Sequence, residues 1–170
     1  AREPRGIRLA QGAGIGSGRQ IAAALALGAD AVVMGTRFLV CEEIWAHDSY
    51  KRHLASQPAE ASTLALRSTG HPWRVLDNDT VRRTRELEAG GASRYPDFGE
   101  LSTGRLGRDG AYAAGDWNTG LLSMGPAIGF ADRIEPVQAV LHKLMDDAAT
   151  GAAHLRALAP SHPPSSPSHS

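Results

Sequence analysis

The run Gly12-Ala13-Gly14-Ile15-Gly16-Ser17-Gly18 places glycine at every second position. Few residues other than glycine could form such a turn, and glycines let backbone N–H groups come close to a ligand. A helix begins directly after the run, and its N-terminus adds partial positive charge. Backbone donors at a helix start make a phosphate cradle. A turn whose glycines serve packing alone would look the same in the sequence. Gly35-Thr36 opens a second turn of the same kind, after the next apolar run.

Two familiar nucleotide motifs are excluded by single positions. A dinucleotide-binding G-x-G-x-x-G starting at Gly12 requires glycine at position 17, which is Ser17. The acid at roughly the expected distance, Asp30, precedes the second strand rather than ending it. A P-loop requires Gly-Lys-Ser/Thr, and none follows.

The elements around these turns follow from local pattern. Ile7-Arg8-Leu9-Ala10 reads as a short strand, and Gln11 to Gly16 as the loop after it. Ser17 offers an N-cap, with Gln20 three residues on completing a capping box. The helix then runs to about Leu27, with Ile21, Ala24 and Leu25 on one face and Gly28 as its C-terminal cap. Ala31-Val32-Val33-Met34 reads as a strand buried on both faces of a parallel sheet. The sum is a βαβ unit. Two consecutive strands thus end in phosphate-suited loops, as after strands seven and eight of (β/α)₈ barrels. One phosphate held by both loops is the simplest reading.

Beyond the second turn, residues 37 to about 54 read as a helix with Phe38, Ile44 and Trp45 buried. The stretch from Ser56 to Gly120 reads as a loose subdomain or lid with one polar helix, Thr80 to Ala89. Turn formers crowd Gly90 to Gly115 so densely that the sequence predicts no regular structure there. Ile134-Glu135-Pro136 opens a final helix with proline in its first turn. Its apolar stripe is Val137, Val140, Leu141, Leu144, Met145 and Ala148. Pro160 to Ser170 holds only Ser, Pro and His, and is expected to be disordered.

Composition narrows the partners. Lys+Arg and Asp+Glu are both 18, so nothing in the charge favours nucleic acid or an anionic membrane. No apolar stretch reaches the ~20 residues of a bilayer span, and the start lacks the apolar segment of a signal peptide. The expected compartment is the cytoplasm. Cys41 is the sole cysteine and no spacing suits zinc; it is expected as a packed core thiol.

Three segments together resemble the C-terminal signature of the nitronate monooxygenases, formerly called 2-nitropropane dioxygenases. They are Gly14-Ile15-Gly16-Ser17-Gly18-Arg19, Ala23 to Asp30, and Val33-Met34-Gly35-Thr36-Arg37-Phe38. Further pieces follow in the family's order: Glu43 with Tyr50-Lys51, then Gly70-His71-Pro72-Trp73-Arg74 to Asn78, then Gly125 to Gly129 with Pro136. The first part alone is also similar to the inosine-monophosphate dehydrogenase family, which lacks the Gly-x-Pro-x-Arg piece. The resemblance spans residues 8 to 158.

The resemblance implies an α/β fold: the C-terminal part of a (β/α)₈ TIM barrel, with a small inserted lid subdomain and a final barrel helix. Residues 1–40 would hold strands seven and eight, 41–125 a mixed helical and loop subdomain, 126–158 the last barrel helix, and 159–170 a tail. It further implies FMN as cofactor, with an alkyl nitronate and O₂ as substrates. The FMN phosphate would be held by Gly14 and by Val33, Met34, Gly35 and Thr36, largely through backbone N–H groups. Where the family has two glycines before the isoleucine, this chain has Ala13, and a positive φ there would cost on the order of 1 kcal/mol. The family's catalytic histidine lies upstream of these loops and has no counterpart among His47, His53, His71, His142, His154, His162 and His169. His71 and Arg74 are expected to shape a turn, Arg74 pairing with an acid of the subdomain. A whole barrel takes ~250 residues, so the chain is expected to be a C-terminal portion. The alternatives are a flavin-dependent enoyl-acyl-carrier-protein reductase, which shares these loops, and a non-catalytic product.

Overall fold

The structure, a computed structural model, describes residues 8–158. The βαβ unit is present: β1 (Ala10–Gly12), α1 (Gly18–Ala26) and β2 (Ala31–Val33), with Ala10 opposite Ala31 and Gly12 opposite Val33 in a parallel pair. Pairing starts later than the sequence predicts, and Ile7 lies outside the described residues. The cause is Asp30. Its carboxylate accepts from the Leu9 N–H at 2.8 Å while its own N–H donates to the Leu9 carbonyl at 2.7 Å. That exchange fixes Leu9 as the entry to β1, so the ladder begins at Ala10.

Ser17 caps α1 as expected, its Oγ accepting from Gln20 N while Gln20 Oε1 accepts from Ser17 N. Strand β2 is not buried on both faces, and Val33 is 60% exposed. The sheet has two strands among the described residues, so only the α1 side is covered.

Helix α1 packs on the long C-terminal helix. A cluster of Ile15, Ile21, Ala24, Cys41, Val140 and Leu144 forms the seam. Leu25, Leu141 and Met145, expected in the stripes, are exposed instead. The buried residues narrow to Gly18, Ile21, Ala22 and Ala24 on α1 and to Val140 and Leu144 on the other helix.

Residues 37–54 do not form one helix. A 3₁₀ turn at Thr36–Phe38 gives way to turns, and α2 covers only Asp48–Ala55, capped by His47 Nδ1 accepting from Ser49 N. The intervening backbone is diverted: Cys41 forms a bridge with Glu135, Glu42 N donates to the Glu135 carbonyl, and Lys51 Nζ donates to the Glu42 carbonyl. Ile44 and Trp45 consequently point outward and are exposed.

The stretch expected to be loose is packed. Strands β3 (Ser62–Ala65) and β4 (Trp73–Leu76) pair antiparallel, with Leu64 opposite Arg74. Helix α3 (Asp79–Ala89) lies against them over a core of Ala65, Leu66, Val75, Val81, Phe98 and Leu121. Asn78 caps α3 through Oδ1 and ties it to the Trp117 and Gly120 carbonyls through Nδ2.

Regular structure also enters the region of dense turn formers. It comprises a kinked 3₁₀ segment at Tyr95–Ser102, the single turn α4 (Gly104–Leu106) and a π-helical segment at Gly107–Ala114. Its anchors, Phe98 and Ala111, belong to two different clusters, so no periodic stripe announces them. The final helix α5 runs from Val137 to Leu158, after Pro136. The largest cluster joins Val40, Tyr50, Leu54, Leu76, Leu122, Met124 and Ile128, and so crosses the expected division between residues 125 and 126. The expected tail, 159–170, lies outside the described residues.

Candidate functional site: a cleft between two glycine loops

The turn after β1 and the turn after β2 open onto one cleft of about 570 Å³. Ala13 and Gly14 form one side, Gly35 and Thr36 another, and Ser123 to Pro126 close it together with Leu39 and Arg74. Gly14 sits at φ +76°, a conformation that disfavours any side chain, and a Cβ there would meet only open space. A Cβ on Gly35 would likewise project into open space.

Donors remain available around this space. Among the described residues, the N–H groups of Gly14, Gly35 and Thr36 find no acceptor. Thr36 Oγ1 accepts from Gly125 N at 3.0 Å, which leaves its own proton free to donate. Glycine backbone, orphan N–H groups and a hydroxyl proton fit a phosphate group.

The glycine run splits into two tasks. Gly14 lines the cleft, whereas a Cβ on Gly16 would fall 2.5 Å from the Phe130 ring and one on Gly18 would fall 2.2 Å from the Leu144 carbonyl oxygen. The latter two glycines therefore serve close packing of α1 on α5 and its approach. The helix N-terminus does not serve the cleft as the sequence suggested. Gly16 and Ser17 N–H groups both donate to Gln20 Oε1, and Arg19 N donates to the Asp147 carboxylate. The protein's own side chains have taken the dipole end.

Val33 and Met34 sit at the end of β2 but line no part of the cleft. Met34 packs with the α1–α5 seam, and Val33 faces out. Arg74 makes no ion pair with a subdomain acid. Its Nη1 donates to Ser62 Oγ at 3.2 Å, and the residue reaches the cleft from β4. None of the five described histidines lines it. His71 occupies the β3–β4 turn, its N–H donating to Thr69 Oγ1, and His53 stacks on Trp117 at 4.3 Å. His162 and His169 lie outside the described residues. Cys41 is buried, and burial raises its pKa. A second cleft of equal volume, on the outer side of the β1 turn, is lined by residues such as Leu9, Leu27 and Ala29, with no cation or hydroxyl.

One feature escaped the sequence. Arg37, directly after Thr36, is buried and paired with the equally buried Glu135 at 3.4 Å; Glu135 also accepts from Lys143 Nζ. The Lys143 hydrogen bond, and then Arg37, lower the Glu135 pKa against burial. No periodicity marks such a pair, because its members are 98 residues apart.

A family model described as nitronate monooxygenase matches residues 9–147. A nitronate monooxygenase of Pseudomonas aeruginosa is 39% identical over 85 residues, which are 50% of this chain and 23% of that protein. A 5-hydroxy-7a-methyl-1-oxo-octahydro-1H-indene-4-carboxyl-CoA dehydrogenase of Rhodococcus jostii is 43% identical over 68 residues, 40% of this chain and 19% of that protein. The solved structure of FabK from Thermotoga maritima superposes with a TM-score of 0.80 at 31% identity, covering 91% of this chain and 48% of that one. The matches thus span about a quarter or less of these curated relatives and just under half of the solved chain.

Proposed function

The chain belongs to the nitronate monooxygenase family, and from that premise we propose that it carries the phosphate-binding part of a flavin-dependent oxidoreductase. In this reading β1 and β2 are strands seven and eight of a (β/α)₈ barrel, and residues 41–125 are a subdomain set beside its mouth. The observation that carries it is the single cleft shared by Gly14, Gly35 and Thr36, with main-chain donors that lack acceptors. The cofactor would be FMN, its phosphate held in that cleft, with Val33 and Met34 shaping the turn rather than touching the ligand.

When bound, FMN would supply the redox chemistry, with O₂ as the oxidant. The substrate would be an alkyl nitronate, in keeping with the family. This chain's residues hold the cofactor, and the proton-transfer group would come from a histidine outside it, since no described histidine reaches the cleft.

The test is flavin titration. Gly14→Val adds strain at φ +76° and crowds the cleft, a cost of about 1–3 kcal/mol, or ~5- to 150-fold in FMN affinity. Gly35 has φ −120°, so Gly35→Val acts by crowding alone and should weaken FMN without strain in the turn. If both variants bind FMN as the parent does, the phosphate lies elsewhere. A second reading, a flavin-dependent enoyl-thioester reductase, rests on the glycine loops that such enzymes share with the nitronate monooxygenases. Oxygen uptake with propyl-2-nitronate, set against enoyl-thioester reduction by a nicotinamide donor, separates the two.

A further inference from the structure

The cleft's main-chain donors leave a charge problem. A phosphate monoester carries −1.5 to −2 near pH 7, while N–H groups and a hydroxyl offer only partial charges. Among the residues lining the cleft, Arg74 alone is charged. It comes from a different part of the chain, strand β4 of the subdomain, 38 residues beyond Thr36.

We propose that Arg74 is the residue that pairs with the cofactor phosphate, so that the subdomain closes the phosphate site with its own guanidinium. This deepens the flavin reading and rests on it. Three observations support the assignment. First, Arg74 has no carboxylate partner among the described residues, although most other arginines there have one. Second, its Nη1 is directed to Ser62 Oγ at 3.2 Å and to the Ser62 carbonyl at 3.5 Å. That leaves Nε and Nη2, the two-pronged side of the guanidinium that grips phosphate oxygens, without a partner. Third, the stem is placed against the site. Arg74 Cδ lies 3.9 Å from the Cβ position of Gly125, and Gly125 donates its N–H to Thr36 Oγ1. Arg74 and Thr36 therefore flank the same glycine.

The geometry also explains why β3 and β4 are paired as they are. Leu64 stands opposite Arg74, and Ser62 lies two residues along on the same strand, where its hydroxyl meets the guanidinium diagonally. A slip of one residue would turn Arg74 to the other face of the hairpin.

The experiment compares FMN with riboflavin, which lacks the phosphate, by fluorescence titration of the protein and of its Arg74→Gln and Arg74→Lys variants. The parent should prefer FMN. Arg74→Gln should lose about ten- to a hundredfold in FMN affinity, the value of a charge-assisted contact, and leave riboflavin affinity unchanged. Arg74→Lys, with the charge but not the fork, should fall between. The thermal midpoint of Arg74→Gln should stay within about a degree or two of the parent, because Arg74 is exposed, has no carboxylate partner among the described residues and gives up only surface hydrogen bonds to Ser62. An FMN preference that survives in Arg74→Gln overturns the role of Arg74 alone. Equal loss of FMN and riboflavin also overturns it, showing a side chain that props the cleft. A parent without any FMN preference overturns the phosphate cleft itself, and this inference with it.

Discussion

Ala13 and Leu66 are the two non-glycine residues with positive φ among the described residues, +65° and +56°. The same backbone strain should yield opposite results when each becomes glycine. A left-handed L-residue costs roughly 1–2 kcal/mol, which glycine removes at either site. Glycine also makes the unfolded chain more flexible, at about 0.4–1 kcal/mol. Ala13 is exposed and its methyl buries little, so Ala13→Gly should stabilise by about 0.5 kcal/mol. For a chain of this length that raises the thermal midpoint by ~1–2 °C. Leu66 is fully buried in the cluster with Val75, Val81 and Phe98. Removing a buried leucine side chain costs about 2–5 kcal/mol, more than strain relief returns. Leu66→Gly should therefore lower the midpoint by several degrees. Urea and thermal unfolding of both variants give the answer. A lower midpoint for Ala13→Gly, or a higher one for Leu66→Gly, would refute the reasoning.

Two further outcomes follow from the α5 contacts. Gly18→Ala brings a methyl to 2.2 Å from the Leu144 oxygen and 2.4 Å from Ala148 N; α1 and α5 must separate, and overpacking of this kind costs about 1–3 kcal/mol, read as a lower urea midpoint. Glu135→Gln leaves Arg37 buried without its counter-charge, about 3–5 kcal/mol by the usual cost of breaking such a pair. The Glu135 pKa is lowered in the folded state, so its contribution is present above the ordinary carboxylate pKa and disappears as pH falls through the folded value. The stability gap between parent and Glu135→Gln should be constant near pH 7 and close below about pH 4. A gap that persists unchanged into stronger acid would assign the loss to packing instead of charge.

Legibility in the sequence follows the separation of the residues that make each feature. The α1 cap was readable because Ser17 and Gln20 are three apart, and Gly28 because a helix end needs φ > 0 locally. The two turns of the cleft were readable for the same reason. The helix expected over residues 37–54 failed because Glu135, far along the chain, captures the backbone at Cys41 and Glu42. The packing of the subdomain was not legible because its core is assembled from short, separate segments, at Ala65-Leu66, Val75, Val81, Phe98 and Leu121, that share no period. Arg74 was visible as a residue but not as a neighbour of Gly14, since only the β3–β4 pairing and the Thr36–Gly125 contact bring it there.

These long-range contacts converge on one short segment. Thr36 is held by Gly125, Arg37 by Glu135, and Cys41 and Glu42 by the Glu135 backbone. The turn after β2 is thereby fixed at four points within seven residues, three of them to Glu135 just before α5 and one to Gly125, while on the facing turn the Gly14 carbonyl accepts from the nearby Gln20 Nε2 at 3.4 Å. The cleft thus has one wall held from distant parts of the chain and one held locally, by glycine conformation and the Gln20 side chain. A ligand phosphate bridging them would order the Gly14 side against the Thr36 side, and whatever freedom the Gly14 turn then loses subtracts from the affinity its main-chain donors deliver.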